Sequence, residues 1–385
     1  MSDTDDRMAE DRDPDGRILD AIASLAPPLL DALEALRYLA RHMDPAQIAE
    51  HLASVDTPEG PLQAALPAFR AAEWPDHLSG FRDHLTASSD LTIQALTDLR
   101  VAITAPDGLR QAYRALRLLP RALEALYPLT QSLPVISRFF LEPGRRDDVA
   151  LLTRLREANP APENTGVIHI DNDRKSRGGV SIYVPEYYDT GRSYPLVMAL
   201  HGGSGHGSTF LWNWLVSARS EGAILLAPTA IGDTWSLMGP DVDSGNLARL
   251  LAFARANWNI DSSRLLLTGM SDGGTFTLLS GMQEDSPFTH LAPFAASFHP
   301  MLVELAEPAR LAGLPIHLTH GALDWMFPVR IGRQAAQSLA RAGARVTYRE
   351  IEDLSHVYPA DENPRLLNWL MARHTENSPG SSSQN

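Results

Sequence analysis

The chain contains no cysteine among its 385 residues. Disulfides, thiolate metal sites and a cysteine nucleophile are therefore excluded, and thiol usage leaves the redox compartment open. No run of about eighteen apolar residues occurs, so no stretch reads as a membrane-crossing helix. Basic charge is in deficit: 33 Lys and Arg stand against 47 Asp and Glu, for a formal net charge of -14. Without a basic field to collect phosphates, a nucleic-acid partner is not expected. The opening residues Met1-Ser2-Asp3-Thr4-Asp5-Asp6 are acidic where a secretory signal is basic and then apolar, which predicts a cytoplasmic protein. Metal-site spacing is missing as well. His42, His51, His77 and His84 have neither an H-E-x-x-H pattern nor a carboxylate at ligand spacing, so no metal site is expected and the chemistry should be cofactor-free.

What is present is a chain in two parts. The hydrophobic content of 44% supports a real core, and the length suits roughly two or three domains. Residues 1–16 are almost wholly polar and are expected to be disordered, as is the tail 376–385. From 17 to 160 the spacing is helical throughout. Ile18, Leu19, Ile22 and Leu25, and after Pro27-Pro28 the set Leu29, Leu30, Leu33, Leu36, Leu39 and Met43, recur at intervals of three and four. Asp44-Pro45, Ser89-Asp90 and Asp107-Gly108 read as helix starts. The pattern predicts a helical domain whose role the residues leave open between a lid, oligomerisation and docking. Its most apolar stretch, Leu123 to Leu141, reads either as a flap facing substrate or as the surface that packs this half on the next. Pro160-Ala161-Pro162-Glu163-Asn164 reads as a linker.

After it the period changes. Gly166 to Ile170 and Val180 to Val184 alternate like antiparallel edge strands, and Leu196 to Leu200, Ala223 to Ala227 and Leu265 to Leu267 are apolar runs of the buried type. Further strands are expected at 294–298, 315–319 and 345–350, with helices near 246–258, 331–341 and 364–372. Alternation of the two element types over 165–375 predicts an α/β domain with a mostly parallel sheet covered on both faces.

One stretch carries a chemical pattern. Leu265-Leu266-Leu267-Thr268-Gly269-Met270-Ser271-Asp272-Gly273-Gly274 is an apolar run ending in G-x-S-x-G, followed by helical spacing from Thr275 to Met282. A serine on a sharp strand-to-helix turn needs small neighbours so that the helix can leave close to the strand, and Gly269 and Gly273 supply them. The pattern alone is expected by chance roughly 0.1 times in such a chain, so its setting decides. A serine hydroxyl is a weak nucleophile and needs a base oriented by a carboxylate. His356 follows the last expected strand and Asp324 the one before it. Asp353 is too near His356 in sequence to orient it, and Asp241 and Asp243 precede the serine. His201 and His320 precede glycines in loop motifs and read as structural; His206 and His299 are weaker rivals.

In this order, Ser271 then Asp324 then His356, and with H-G-x-x-D-x-x-x-P at 320–328 and L-S-H-V at 354–357, residues 165–375 resemble the α/β-hydrolase superfamily. The nearest branches in pattern are the phospholipase/carboxylesterase and polyhydroxyalkanoate-depolymerase or feruloyl-esterase types. The resemblance implies an α/β-hydrolase fold preceded by an all-α domain, a Ser-His-Asp triad and no cofactor. It implies an oxyanion loop at His201-Gly202-Gly203-Ser204-Gly205, with the N–H groups of Gly203 and Asp272 as donors. This loop departs from the H-G-G-G form, which leaves the donor on its side open by about one position. Asp272 itself should open the helix after the elbow, where a carboxylate suits the dipole. Trp235 and Trp325 are expected to line the substrate pocket, with Trp212 and Trp214 as further candidates. The expected function is hydrolysis of a small-molecule carboxylic ester. The alternatives are a prolyl-oligopeptidase-like peptidase, whose usual preceding β-propeller is replaced here by helices, and an inert scaffold docking a partner through the helical half, which also offers a surface for homo-oligomerisation.

Overall fold

The computed structural model describes residues 14–160 and 163–372. Most of the polar start, part of the proline linker and the polar tail lie outside the described residues. The helical half comprises α1 (Pro14–Arg41), α2 (Ile48–Ser54), α3 (Glu59–Ala71), α4 (Ser79–Ala102), α5 (Gly108–Leu116), α6 (Leu118–Leu126), α7 (Pro134–Phe139) and α8 (Val149–Glu157). Helix α1 already includes Pro14, Asp15 and Gly16, ahead of the expected boundary at 17. It also runs straight through Pro27 and Pro28. Each proline removes one backbone bond, but Leu25, Leu29, Leu33, Leu36 and Leu39 along the same stripe are fully buried. At about 1.5–3 kcal/mol per buried leucine, the packing outweighs the proline penalty of about 3 kcal/mol.

Two expected helix starts are displaced for identifiable reasons. The Asp44 carboxylate accepts from the Ala46 N–H at 2.9 Å, closing a turn, and α2 begins only at Ile48. Ser89 caps nothing: it sits in the middle of α4, and its hydroxyl donates to Leu85 O at 2.8 Å, as Thr92 does to Ser88 O at 2.7 Å. Bonding back one turn satisfies a buried hydroxyl without ending the helix.

The second half is an eight-stranded sheet in the order β1-β2-β4-β3-β5-β6-β7-β8. The strands are β1 (Gly166–Ile170), β2 (Val180–Val184), β3 (Tyr194–Leu200), β4 (Ile224–Pro228), β5 (Ile260–Met270), β6 (His290–Phe294), β7 (Pro315–Gly321) and β8 (Arg345–Ile351). The pairs β1/β2 and β2/β4 are antiparallel and the rest parallel. Strand β6 lies four residues before the expected run 294–298. Pro293 lies within it, in register with Gly269, and the strand ends where Ala295 takes a left-handed φ of 43°. The helices of this half are α9 (Gly207–Phe210), α10 (Leu215–Glu221), α11 (Asp243–Asn257), α12 (Asp272–Gly281), α13 (Met301–Glu304), α14 (Pro308–Leu311), α15 (Arg330–Arg341) and α16 (Asn363–Met371).

Strand alternation divides the core in two. Leu196, Met198 and Leu200 of β3 face a cluster with α11 and α12, whereas Val197 and Ala199 face a cluster that continues without a break into Leu29, Leu96 and Leu126 of the helical half. From the apolar stretch 123–141, Leu123, Leu126, Leu129, Ile136, Phe139 and Phe140 lie in that second cluster, so it packs the helices onto the sheet rather than forming a flap. A buried polar clamp fixes the contact. Arg219 Nε donates to Glu186 at 2.8 Å, its two terminal nitrogens donate to Ser137 O and Oγ, and Tyr127 and Tyr183 donate their hydroxyls to the same Glu186 carboxylate at 2.7 and 2.8 Å. Burial alone pushes the Glu186 carboxyl up, but the Arg219 charge and the hydrogen bonds outweigh it and hold the group below its ordinary value.

Candidate active site

Strand β5 delivers Ser271 to the middle of the sheet's C-terminal edge, and α12 leaves immediately at Asp272. Between them Ser271 adopts φ 56° and ψ -120°, a conformation that L-residues avoid. It persists because the neighbours determine it. The Ser271 N–H donates to Phe294 O at 2.9 Å and its carbonyl accepts from Thr275 at 2.9 Å. A side chain at Gly269 would collide with the Gly273 backbone, and one at Gly273 with the carbonyls of Leu200 and His201.

The loops after β7 and β8 bring two further groups to the serine. His356 Nε2 lies 3.0 Å from Ser271 Oγ, and His356 Nδ1 lies 2.9 Å from Asp324 Oδ2. The other Asp324 oxygen accepts from the backbone N–H groups of Met326 and Phe327 at 2.9 and 2.7 Å. All three residues are buried, at 8%, 6% and 6% exposure. A carboxylate fixed from one side presents its free oxygen to the imidazole, which holds Nε2 as an acceptor toward the hydroxyl. That chain of bonds can remove a proton from Ser271 Oγ and hold the resulting imidazolium. The rivals are elsewhere: Asp353 pairs with Arg41, and Asp243 accepts from the N–H groups of Ile231 and Ser236.

His201 is a fixed strut of the adjacent loop. Its Nδ1 donates to Gly202 O at 2.7 Å and its Nε2 accepts from the Ala230 N–H at 3.1 Å, so the ring is held neutral, with its pKa lowered by burial to about 4. Trp235 shares this duty, and here the expectation from sequence is corrected. The indole is 2% exposed, donates to His201 O at 2.7 Å and stacks on Phe276, which removes it from the cavity wall to the back of the loop. Trp212 and Trp214 are likewise buried, in the core shared with the helical half. Trp325 does line the cavity, 45% exposed and 6.3 Å from the His356 ring. Gly203 lies against Asp272: an added Cβ would sit 2.8 Å from Asp272 Oδ2, and that carboxylate accepts from Thr234 at 2.6 Å.

Motif reading marked His320 as structural and missed one wall of the cavity altogether. His320 stands beside the carboxylate, with Nε2 3.5 Å from Asp324 Oδ2 and donating to Phe327 O at 2.7 Å. It braces the loop that positions Asp324. Helix α5 of the helical half forms the opposite wall of a cavity of about 970 Å³ that opens over Ser271. Tyr113 of α5 donates to His356 O at 3.4 Å. Only the helical spacing of 109–119 hinted at this element, and nothing in it pointed to the serine.

Residues 241–372 match the family model for the phospholipase/carboxylesterases, a span that contains Ser271, Asp324 and His356. No curated protein sequence matches the chain. Similar solved structures include a thermostable esterase at 22% identity, covering 54% of this chain and 62% of that one, with a TM-score of 0.44. This chain thus spans less than two thirds of that esterase. A fluorophosphonate-binding serine hydrolase of Staphylococcus aureus aligns at 13% identity over 54% of this chain and 98% of its own, with a TM-score of 0.44. A thermophilic esterase from Thermogutta terrifontis aligns at 17% identity over 54% and 92%, with a TM-score of 0.41. The mostly parallel sheet with the elbow near its centre gives the C-terminal half of this chain an α/β-hydrolase fold, and residues 241–372 within it are similar to the phospholipase/carboxylesterase family.

Proposed function

We propose that the chain is a serine hydrolase of carboxylic esters, working through a Ser271-His356-Asp324 triad and an acyl-enzyme. The observation that carries this reading is the continuous 3.0 and 2.9 Å relay from Ser271 Oγ through His356 to Asp324, starting from a serine in a strained elbow. His356 Nε2 takes the hydroxyl proton as Oγ attacks the ester carbonyl, and returns it to the leaving alcohol. Asp324 keeps Nδ1 protonated and stabilises the imidazolium. Water then attacks the acyl-enzyme by the same relay. The developing oxyanion is received by the N–H groups of Gly203 and Asp272; both residues border the cavity beside Ser271, which supports that assignment. No metal or cofactor is required by this route. Trp325 borders the acyl or alcohol group. The two-part division near residue 160 leaves the helical half as the other wall of the substrate cavity.

The test is a fluorophosphonate probe with a p-nitrophenyl ester series of increasing chain length, on wild type and Ser271→Ala. Wild type should label and turn over esters. The variant should lose labelling and about 10⁴-fold or more in kcat. Equal labelling of the variant overturns the nucleophile assignment, and cleavage of prolyl peptides without any ester turnover replaces the esterase reading with a peptidase.

A further inference from the structure

We propose that the substrate ester carries an anionic group, a carboxylate or phosphate, which is bound by Arg114 and Arg117 on the wall of the cavity opposite Ser271. This inference rests on the esterase reading above.

Positions 110, 114 and 117 follow the i, i+4, i+7 spacing of one helix face and all three arginines border the cavity over Ser271. They are exposed, while Ala112 and Ala115 on the reverse face of α5 are buried in the core. The wall is held in place rather than draped: Gly108 at the start of α5 is so close to Ala102 O that no side chain fits, and Tyr113 bonds to the backbone of His356.

Partners distinguish these arginines from others in the chain. Arg100, Arg333 and Arg349 each bind a carboxylate with two nitrogens. Arg110 is paired with Asp107 at 2.6 Å. Arg114 and Arg117 have no carboxylate partner among the described residues. The charged groups around this cavity are three arginines against Asp107 and Asp272, a net of +1 from 3 − 2, in a chain whose total is -14, and Asp272 is engaged by Thr234. A planar guanidinium offers a fork of donors matched to the paired oxygens of carboxylate or phosphate. The cavity volume of about 970 Å³ leaves room for the scissile ester at Ser271 and a charged group at the helix together.

The experiment compares kcat/KM for matched pairs. Mono-p-nitrophenyl glutarate against p-nitrophenyl pentanoate tests a carboxylate on the acyl side, and 1-butyrylglycerol 3-phosphate against 1-butyrylglycerol tests a phosphate on the alcohol side. In wild type at least one anionic member should be preferred, with the preference carried by KM and reduced by added salt, since exposed charges are screened. In R114Q/R117Q the anionic-to-neutral ratio should fall about tenfold, and R114K/R117K should restore part of it. The glutarate and phosphate arms decide which anion it is. Neutral esters preferred in both pairs, or a ratio unchanged in R114Q/R117Q, overturns the anion subsite while leaving the esterase intact. Failure of Ser271 to label, with no ester turned over, overturns the esterase and the subsite with it.

Discussion

The two walls of the cavity are built by opposite physics. On the sheet side Ser271, His356 and Asp324 are buried, each bonded to the next and to backbone that cannot move without disturbing the strand ends. On the helix side Arg110, Arg114 and Arg117 reach from an exposed face with few fixed partners. The proposed proton transfer needs groups held within hydrogen-bond distance before substrate arrives, and this wall is preorganised in that way. Recognition of a charged end tolerates movement and gains from donors still free to bind, so its wall is left open. The same cavity thus divides into a part where geometry is stored in the fold and a part where it is completed by the ligand.

The largest effect should come from loosening the sheet side. Asp324→Asn leaves the shape but presents an amide to Nδ1 and disturbs the tautomer, and should lower kcat about 10³- to 10⁴-fold with little change in KM, read by steady-state ester hydrolysis. Loss confined to KM would show that the carboxylate merely shapes the pocket. Next comes the clamp that keeps the helical wall on the sheet. Glu186→Gln leaves Arg219 buried without its counter-charge and should cost about 3–5 kcal/mol in urea unfolding. A cost under about 1 kcal/mol would mean that apolar packing alone joins the halves.

Acid should weaken the sheet side by a route that the exposed wall lacks. The folded chain holds His201 neutral down to a pKa of about 4, so the unfolded chain, at an ordinary 6.5, takes up the proton first. Stability is therefore retained above pH 6.5 and falls as pH drops toward 4, by about 2 kcal/mol at pH 5 from this one group. The depressed Glu186 carboxyl adds to the loss in the same direction, below its ordinary value of 4.5 and on through its folded pKa. An unfolding free energy flat from pH 7 to 5 would contradict the burial argument. The smallest effects separate the two tryptophans. Trp235→Phe removes one buried hydrogen bond and should cost about 1 kcal/mol of stability without altering chain-length preference. Trp325→Ala should leave the unfolding midpoint alone and shift that preference a few-fold, measured across the p-nitrophenyl series.

The elements that sequence disclosed are those in which local pattern and tertiary role agree. Apolar runs of the buried type located β3, β4 and β5, and the glycines of the elbow announced a turn that only they allow. The order of Ser271, Asp324 and His356 followed from which loops come after which strands. Legibility failed where long-range packing overruled a local signal. The prolines at 27 and 28 stood between two helical sets and were absorbed by buried neighbours. Ser89 looked like a cap and was carried into a helix interior. Trp235 lies in a loop near the site in sequence, and only the tertiary fold turns its ring inward.

By itself, then, the sequence determined the residues on which the proposed chemistry rests: a serine on an elbow, one histidine and one aspartate in loops after the later strands, and no cysteine. These follow from short-range spacing, which is written along the chain. The tertiary structure alone decided that α5, more than 150 residues before the serine, would stand over it and offer its arginines. That placement depends on one hydrophobic core running from the leucines of the helical half into the face of β3 and β4. Burial is non-directional, so no local pattern records which surface a helix will cover.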